Sequence, residues 1–525
     1  MIAPLLSLAV LAAFVSATPH NKPGHASPCQ AIKPPHVPGA HIVSIKGTEK
    51  KNLTVPEAPT IPNLDICQVD VVLSHPHAND NVLVQVWLPL SQWNGRFLGT
   101  GGGAYAPGLF DLYLAPAVAQ GYAAAATDGG VGVNPLTPDA WALKPNGKVN
   151  SELLENFIQR SIHDMAVVGK AVTESFYGKK PHHSYFSGCS TGGRQAMVEA
   201  QHYPRDFDGI VSGSPTLNRA TFNVALLWPQ VVMAEENTYP SLCEFNAFAE
   251  AGIAACDELD GLKDGIIMNI KDCNFDPYKL VGSKVTCDGK EITISRNVAK
   301  VVKRIYDGAT TPSGLQLAPG MVVGTPFDSV ANTTTTPDGH RVGNPLFYAN
   351  EWAKYFLEKD AQFDTSRIPS STFKKWYAQS EFEYTDIFAD SVPNLTCFKD
   401  AGGKMIMWHG LADPLIYPKG SIGYRQAVER EMGGSRQVDK FYRYFLAPGA
   451  GHCGLPPFGV GAPLDPVASL VEWVERGKAP DTLPAGVVDA DGVQSTHDIC
   501  KYPMMSKFVG GDPKVAESFM CVRHF

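Results

Sequence analysis

Ser190 stands at the centre of Gly188-Cys189-Ser190-Thr191-Gly192. This G-x-S-x-G pattern is that of a nucleophile elbow, which presents a serine hydroxyl on a sharp strand-to-helix turn. Far downstream, His452 lies in Gly449-Ala450-Gly451-His452-Cys453-Gly454. A serine hydroxyl is a poor nucleophile until a base removes its proton, and a histidine base needs a carboxylate to hold its tautomer. Either motif alone carries little weight, because a chain with 49 glycines produces G-x-S-x-G readily by chance. The cysteines join them, one beside the serine and one beside the histidine. If Cys189 and Cys453 form a disulfide, nucleophile and base are tied through their immediate neighbours.

Asp413 is the expected carboxylate, in Trp408-His409-Gly410-Leu411-Ala412-Asp413-Pro414. A turn-forming Asp before proline is the plain alternative. His409 competes with His452 for the base, but it lies close to Asp413 in sequence and has no cysteine neighbour. Acyl transfer also needs backbone N–H donors aimed at the developing oxyanion. The Thr191 N–H is one by virtue of the elbow. Gly102, in Gly101-Gly102-Gly103, is the expected second, since glycines let the backbone approach a substrate closely. Gly99-x-Gly101 is alternatively the start of a dinucleotide fingerprint, but the acidic residue expected about 20 positions on is missing. No organic cofactor is expected.

These residues need elements to hold them. Residues 82–87, 96–98 and 122–126 read as strands, and 162–176 as a helix broken at Gly178. Residues 183–186 form the strand entering the elbow and 194–200 the helix leaving it. Residues 404–408 and 441–446 read as later strands, with a final amphipathic helix around Leu470, Val471 and Val474. Asp413 follows the first of these strands and His452 the second. Strands alternating with helices imply a mainly parallel sheet covered on both faces, and the chain order Ser, Asp, His is that of an α/β-hydrolase. Between residues 215 and 395 the periodicity becomes irregular, and this stretch is read as a lid inserted between two late strands. The expected organisation is a leader at 1–17, a catalytic domain at 18–214 and 396–525, and a lid at 215–395. Residues 18–45, rich in Pro and His, read as an irregular arm.

Residues 1–17 are apolar, end in small residues and are too short to span a bilayer, as in a secretory signal. The net charge of −8 and the absence of basic runs argue against nucleic acid and anionic membranes as partners. Eleven cysteines in an exported chain point to disulfides, and Cys29, Cys67, Cys189, Cys256, Cys273, Cys453, Cys500 and Cys521 are the ones expected to be bonded. Sequons at Asn52, Asn332 and Asn394 fit a secreted glycoprotein. Asp257, Asp260 and Asp264 alternate with Gly261 and Gly265, and Cys256 and Cys273 bracket them. Such a loop either binds a hard cation through carboxylates and carbonyls or is a solvated acidic turn.

The run Gly188-Cys189-Ser190-Thr191-Gly192-Gly193-Arg194-Gln195, the 408–413 segment and Gly451-His452-Cys453 together resemble the fungal tannase and feruloyl esterase family. The likeness runs from about residue 60 to the C-terminus. It implies an α/β-hydrolase core, a large lid that binds an aromatic acyl group, and hydrolysis of phenolic acid esters. It also implies a Cys189–Cys453 bond and structural calcium held by Asp257, Asp260 and Asp264 with the carbonyls of Leu262 and Ile266. One departure is that Cys287 stands alone where the family has a close pair, which leaves the partners of Cys243, Cys287 and Cys397 open.

The expected protein is thus a secreted carboxylic ester hydrolase acting on a small, aromatic ester of feruloyl, hydroxycinnamoyl or galloyl type. An esterase for an ester or lactone in fungal secondary metabolism uses the same machinery. A binding protein on a decayed hydrolase scaffold is the reading from another class, and the intact triad speaks against it.

Overall fold

The structure, a computed structural model, describes residues 29–311, 314–489 and 492–523. The expected leader at 1–17 lies outside the described residues. Nine strands form the central sheet in the order β1-β2-β3-β5-β4-β6-β7-β8-β9. They are β1 (His41–Leu53), β2 (Leu64–Ser74), β3 (Val82–Pro89), β4 (Arg96–Thr100) and β5 (Ala123–Thr127). The later ones are β6 (His183–Cys189), β7 (Gly209–Gly213), β8 (Lys404–Gly410) and β9 (Tyr442–Ala447). From β5 through β4, β6, β7 and β8 to β9 every pairing is parallel, whereas β1, β2 and β3 extend the edge antiparallel.

Alternate residues of each strand point to opposite faces. Ala123 and Ala125 of β5 join a core that buries Ile162, Met165, Val168 and Val172 of helix α1 (Ser161–Tyr177). Ala124 and Ala126 join the opposite core, which buries Leu470 and Trp473 of the late helix Pro466–Arg476. Near-continuous apolar strands such as β5 are what a sheet covered on both faces requires.

The chain leaves the sheet after β7 and returns at β8, its immediate neighbour. The intervening stretch, irregular in its sequence pattern, holds a set of helices joined by loops and small hairpins. Its longer helices include Leu242–Cys256, Arg296–Asp307 and Ser370–Phe388. Connections containing Gly, Pro and Asp separate them, which obscures the pattern across the stretch as a whole. They enclose a second core of aromatic and aliphatic side chains, among them Trp352, Trp376 and Tyr384. This core also takes in Tyr105, Trp141 and Phe157, which precede the elbow in sequence.

Two other expectations change. Residues 41–45 belong to β1 rather than to an irregular arm. As an exposed edge strand, β1 carries no clean apolar alternation, and the Cys29–Cys67 bond ties the chain before it to β2. Beyond the late helix the chain forms hairpins from Thr482–Asp489, Gly492–Cys500, Met504–Phe508 and Phe519–Arg523, which the sequence reading passed over.

Candidate active site

Ser190 follows β6 directly, and helix α2 (Thr191–His202) begins at the next residue. The serine sits at φ 63° and ψ −119°, a strained conformation that points its side chain out of the turn. The flanking glycines are required by space. A Cβ on Gly188 would meet the Gly192 backbone at 2.5 Å, and one on Gly193 would meet the Gly213 carbonyl oxygen at 2.2 Å. Asp413 follows β8 and His452 follows β9, so all three residues rise from the carboxyl edge of parallel strands, where α/β sheets place their sites.

His452 Nδ1 lies 2.8 Å from Asp413 Oδ2. The carboxylate accepts, so Nδ1 carries the hydrogen and Nε2 is left with its lone pair. Asp413 is fully buried, and its Oδ1 takes the backbone N–H groups of Leu415 and Ile416 at 2.9 and 2.8 Å. Burial by itself would raise this carboxyl. The His452 charge and the hydrogen bonds from His409 and His452 outweigh that and hold it well below the usual carboxylate range. The Cys189–Cys453 disulfide is present with Cα atoms 5.9 Å apart, and Cys453 Sγ rests 3.5 Å from His452 Nε2. Ser190 and His452 line one cavity of about 70 Å³ with Ala104, Thr216, Phe222, Leu226, Leu346, Phe347, Tyr348, Leu415 and Ile416. His409 is not among its walls.

The oxyanion loop differs from the sequence expectation. The Gly102 N–H donates to Gln195 Oε1 at 2.9 Å, which takes it away from a substrate. Gly103 N–H donates to the Ala106 carbonyl. The residue of this loop that reaches the cavity is Ala104, held at φ 49°. Its carbonyl accepts from Thr191 Oγ1 at 2.7 Å and from Arg219 Nη2 at 3.3 Å. Arg219 begins the first helix of the inserted stretch, Arg219–Ala225, and its guanidinium lies against the rings of Phe157 and Tyr348. Gln195 and Arg219 were missed as site residues. Gln195 lies within the quoted motif, one helical turn after Thr191, whereas nothing local to Arg219 marks it.

In the acidic loop, Asp257 Oδ1 and Oδ2 accept the N–H groups of Asp264 and Gly265 at 3.2 and 3.0 Å. Asp260 is buried, and its Oδ2 has no partner. The Asp264 carboxyl, exposed on its outer side, is raised to about 6 by partial burial and by the charges of Asp260 and Asp257. Asp260 is raised as well, by burial first and then by Asp257. Crowded carboxylates with one orphaned buried oxygen fit a hard cation. Among the described residues, the only three His, Cys, Asp or Glu side chains whose ligand atoms lie within 4.8 Å of one another are His182, His183 and Glu475. The aspartates therefore stand wider apart, and a cation between them would need carbonyl ligands too. Glu475 is already clamped by Arg96 at 2.6 and 2.7 Å.

The other disulfides are Cys29–Cys67, Cys243–Cys287, Cys256–Cys273 and Cys500–Cys521, and Cys397 is free and exposed. Cys243 and Cys287, whose partners were open, pair with each other. Among the described residues no helix is long and apolar enough to cross a membrane.

The sequence profile of the tannase and feruloyl esterase family matches residues 67–522. The chain belongs to that family. It is 48% identical to a probable feruloyl esterase of Arthroderma benhamiae, over 99% of this chain and 98% of the relative. Feruloyl esterase B of Aspergillus niger is 29% identical over 89% of each chain. Among solved structures, the tannin acyl hydrolase of Aspergillus niger superposes with a TM-score of 0.86 at 28% identity, covering 94% of both chains. Feruloyl esterase B of Aspergillus oryzae gives 0.77 at 26% identity, covering 93% of this chain and 97% of that one. The fold is that of an α/β-hydrolase with a large insertion, and the protein is a carboxylic ester hydrolase of this family.

Proposed function

We propose that the protein is a secreted esterase that cleaves hydroxycinnamoyl esters, of which the feruloyl group is the type, through an acyl-enzyme on Ser190. Ser190 Oγ attacks the ester carbonyl while His452 Nε2 takes its proton, and Asp413 steadies the imidazolium through Nδ1–H. The N–H groups of Thr191 and Ala104 receive the oxyanion. His452 then passes the proton to the departing alcohol, and a water molecule repeats the sequence to release the acid.

The single observation that carries the reading is the cavity joining Ser190 to His452. Its walls are mostly apolar and aromatic, and its side-chain hydroxyls besides Ser190 are those of Thr216 and Tyr348. The Tyr348 hydroxyl is itself buried, beside Thr191, so the cavity offers a ligand few side-chain hydroxyls. A galloyl ring carries three hydroxyls, and the lining offers few side-chain partners for them, which disfavours it. The relatives named as feruloyl esterases point the same way. Purified protein assayed against methyl ferulate, methyl caffeate, methyl gallate and a short nitrophenyl ester tests the assignment. Methyl ferulate or caffeate should give the highest kcat/KM, and cleavage confined to the nitrophenyl ester would refute it.

The leader-like 1–17 segment and the five disulfides support export. Asn52 and Asn394 are exposed and accessible to glycosylation, whereas Asn332 is half-buried. Calcium in the acidic loop, held by Asp257, Asp260 and Asp264 with the Leu262 and Ile266 carbonyls, neutralises crowded carboxylates. Its role is structural, because the triad chemistry needs no metal.

A further inference from the structure

His409 is a fully buried imidazole that the triad does not use. Its Nε2 lies 2.8 Å from the Ile416 carbonyl oxygen, which can only accept, so Nε2 carries a hydrogen. The same nitrogen lies 3.3 Å from Asp413 Oδ2, the oxygen that accepts from His452 Nδ1. On the far side of the ring, Nδ1 is 2.7 Å from Ser421 Oγ, and Ser421 Oγ is 2.7 Å from the Tyr444 hydroxyl. Ser421 Oγ also lies 3.0 Å from the Pro418 carbonyl oxygen, the other acceptor for its one hydrogen; in the neutral ring that hydrogen goes to the closer Nδ1 and Tyr444 donates to Ser421. The chain Tyr444–Ser421–His409 thereby sets which nitrogen holds the proton. All of these side chains are buried: His409, Asp413 and Tyr444 are 0% exposed and Ser421 2%.

We propose that His409 is a positioning residue, whose Nε2–H bridges the Ile416 carbonyl and the Asp413 carboxylate and so aims Oδ2 at His452. The 413–416 turn closes around this one hydrogen. Ile416 N–H holds Asp413 Oδ1 while Ile416 C=O holds the ring that faces Oδ2. A carboxylate pinned only at Oδ1 can swing about that oxygen. The second donor removes this freedom, and the buried Ser421 and Tyr444 hydroxyls keep the donor from changing tautomer. The proposal rests on Asp413 being the triad acid.

Three variants test it, with the melting temperature and the fluorophosphonate-reactive fraction measured alongside. His409→Leu removes the N–H at similar volume and should lower kcat on the order of 10–100-fold while KM moves less than about threefold. The loss should be equal on methyl ferulate and on nitrophenyl acetate, because the defect lies in the base and not in the acyl pocket. His409→Gln restores an N–H at the Nε2 position and should recover most of the lost turnover. Ser421→Ala keeps the ring but frees its tautomer, and should lower kcat at least about threefold. A folded His409→Leu enzyme with wild-type kcat overturns the proposal, as does a His409→Gln enzyme equally impaired. If His409→Leu does not fold, Ser421→Ala decides alone, and unchanged kcat overturns the proposal. Ser190→Ala, run in parallel, keeps the two readings apart. Residual turnover there removes the triad itself, whereas an inactive Ser190→Ala beside unaffected His409 and Ser421 variants removes only the role of His409.

Discussion

Two regions line the same cavity and hold it by different means. The loops after β6, β8 and β9 are fixed by directional bonds. A disulfide joins the neighbours of Ser190 and His452, and Asp413 receives the N–H groups of Leu415, Ile416, His452 and His409. The inserted stretch supplies Phe222, Leu226, Leu346, Phe347 and Tyr348, and an aromatic core behind them holds these walls. Proton transfer depends on angles and on tenths of an ångström, which hydrogen bonds and covalent links specify. Recognition of an aromatic ring depends on shape, which apolar packing supplies without a fixed direction. The insertion can therefore change substrate choice while leaving the triad in place. Arg219 is where the two meet, since it starts the insertion and yet bonds the Ala104 carbonyl and Thr191 Oγ1.

The comparison is broken most severely at the polar side. Ser190→Ala should cut turnover by roughly 10⁵–10⁶ with the fold intact. A folded variant with more than about a hundredth of wild-type activity would exclude Ser190 as the nucleophile. Replacing Cys189 and Cys453 together by alanine should cost about a hundredfold in kcat well below the melting point, because His452 loses its tether. The same change removes a cross-link spanning 264 residues, for which chain entropy gives at most about 5–6 kcal/mol. Lower stability with unchanged kcat would make the bond structural only.

On the apolar side the effects should be smaller and selective. Phe222→Ala should lower kcat/KM for methyl ferulate about tenfold while a nitrophenyl acetate rate moves less than about threefold. Equal losses on both substrates would show that the insertion and the triad are not separable. Prolonged chelation should lower the melting temperature by a few degrees and leave kcat unchanged in the folded range. Elemental analysis of unchelated protein that finds no calcium would remove the cation from the acidic loop.

Much of the site was legible because it is built from short-range rules. A strand, a Gly-flanked serine and a helix can be read from periodicity within 183–200, and Asp413 and His452 each follow an apolar run directly. The β1 edge strand was missed because neither of its faces is buried, so its side chains carry no apolar alternation. The inserted helices were missed because connections containing Gly, Pro and Asp separate them, which breaks the pattern between one helix and the next. Gly102 is the sequence expectation because glycine lets the backbone approach a substrate closely. Here the deciding fact is that Gln195, 93 positions on, occupies the Gly102 N–H.

The sequence by itself determined the elbow conformation, the order of Ser, Asp and His, and the cysteines that flank two of them. These follow from backbone sterics and residue types acting over a few positions, where no distant partner is needed. Tertiary structure alone decided which N–H groups remain free for an oxyanion, that Cys243 pairs with Cys287, and that Arg219 reaches back to Ala104. It also decided that His409 lies behind Asp413 and His452 beside it. Each of these outcomes depends on strand register and helix packing that bring together residues far apart in the chain, and local preferences carry no information about such distances.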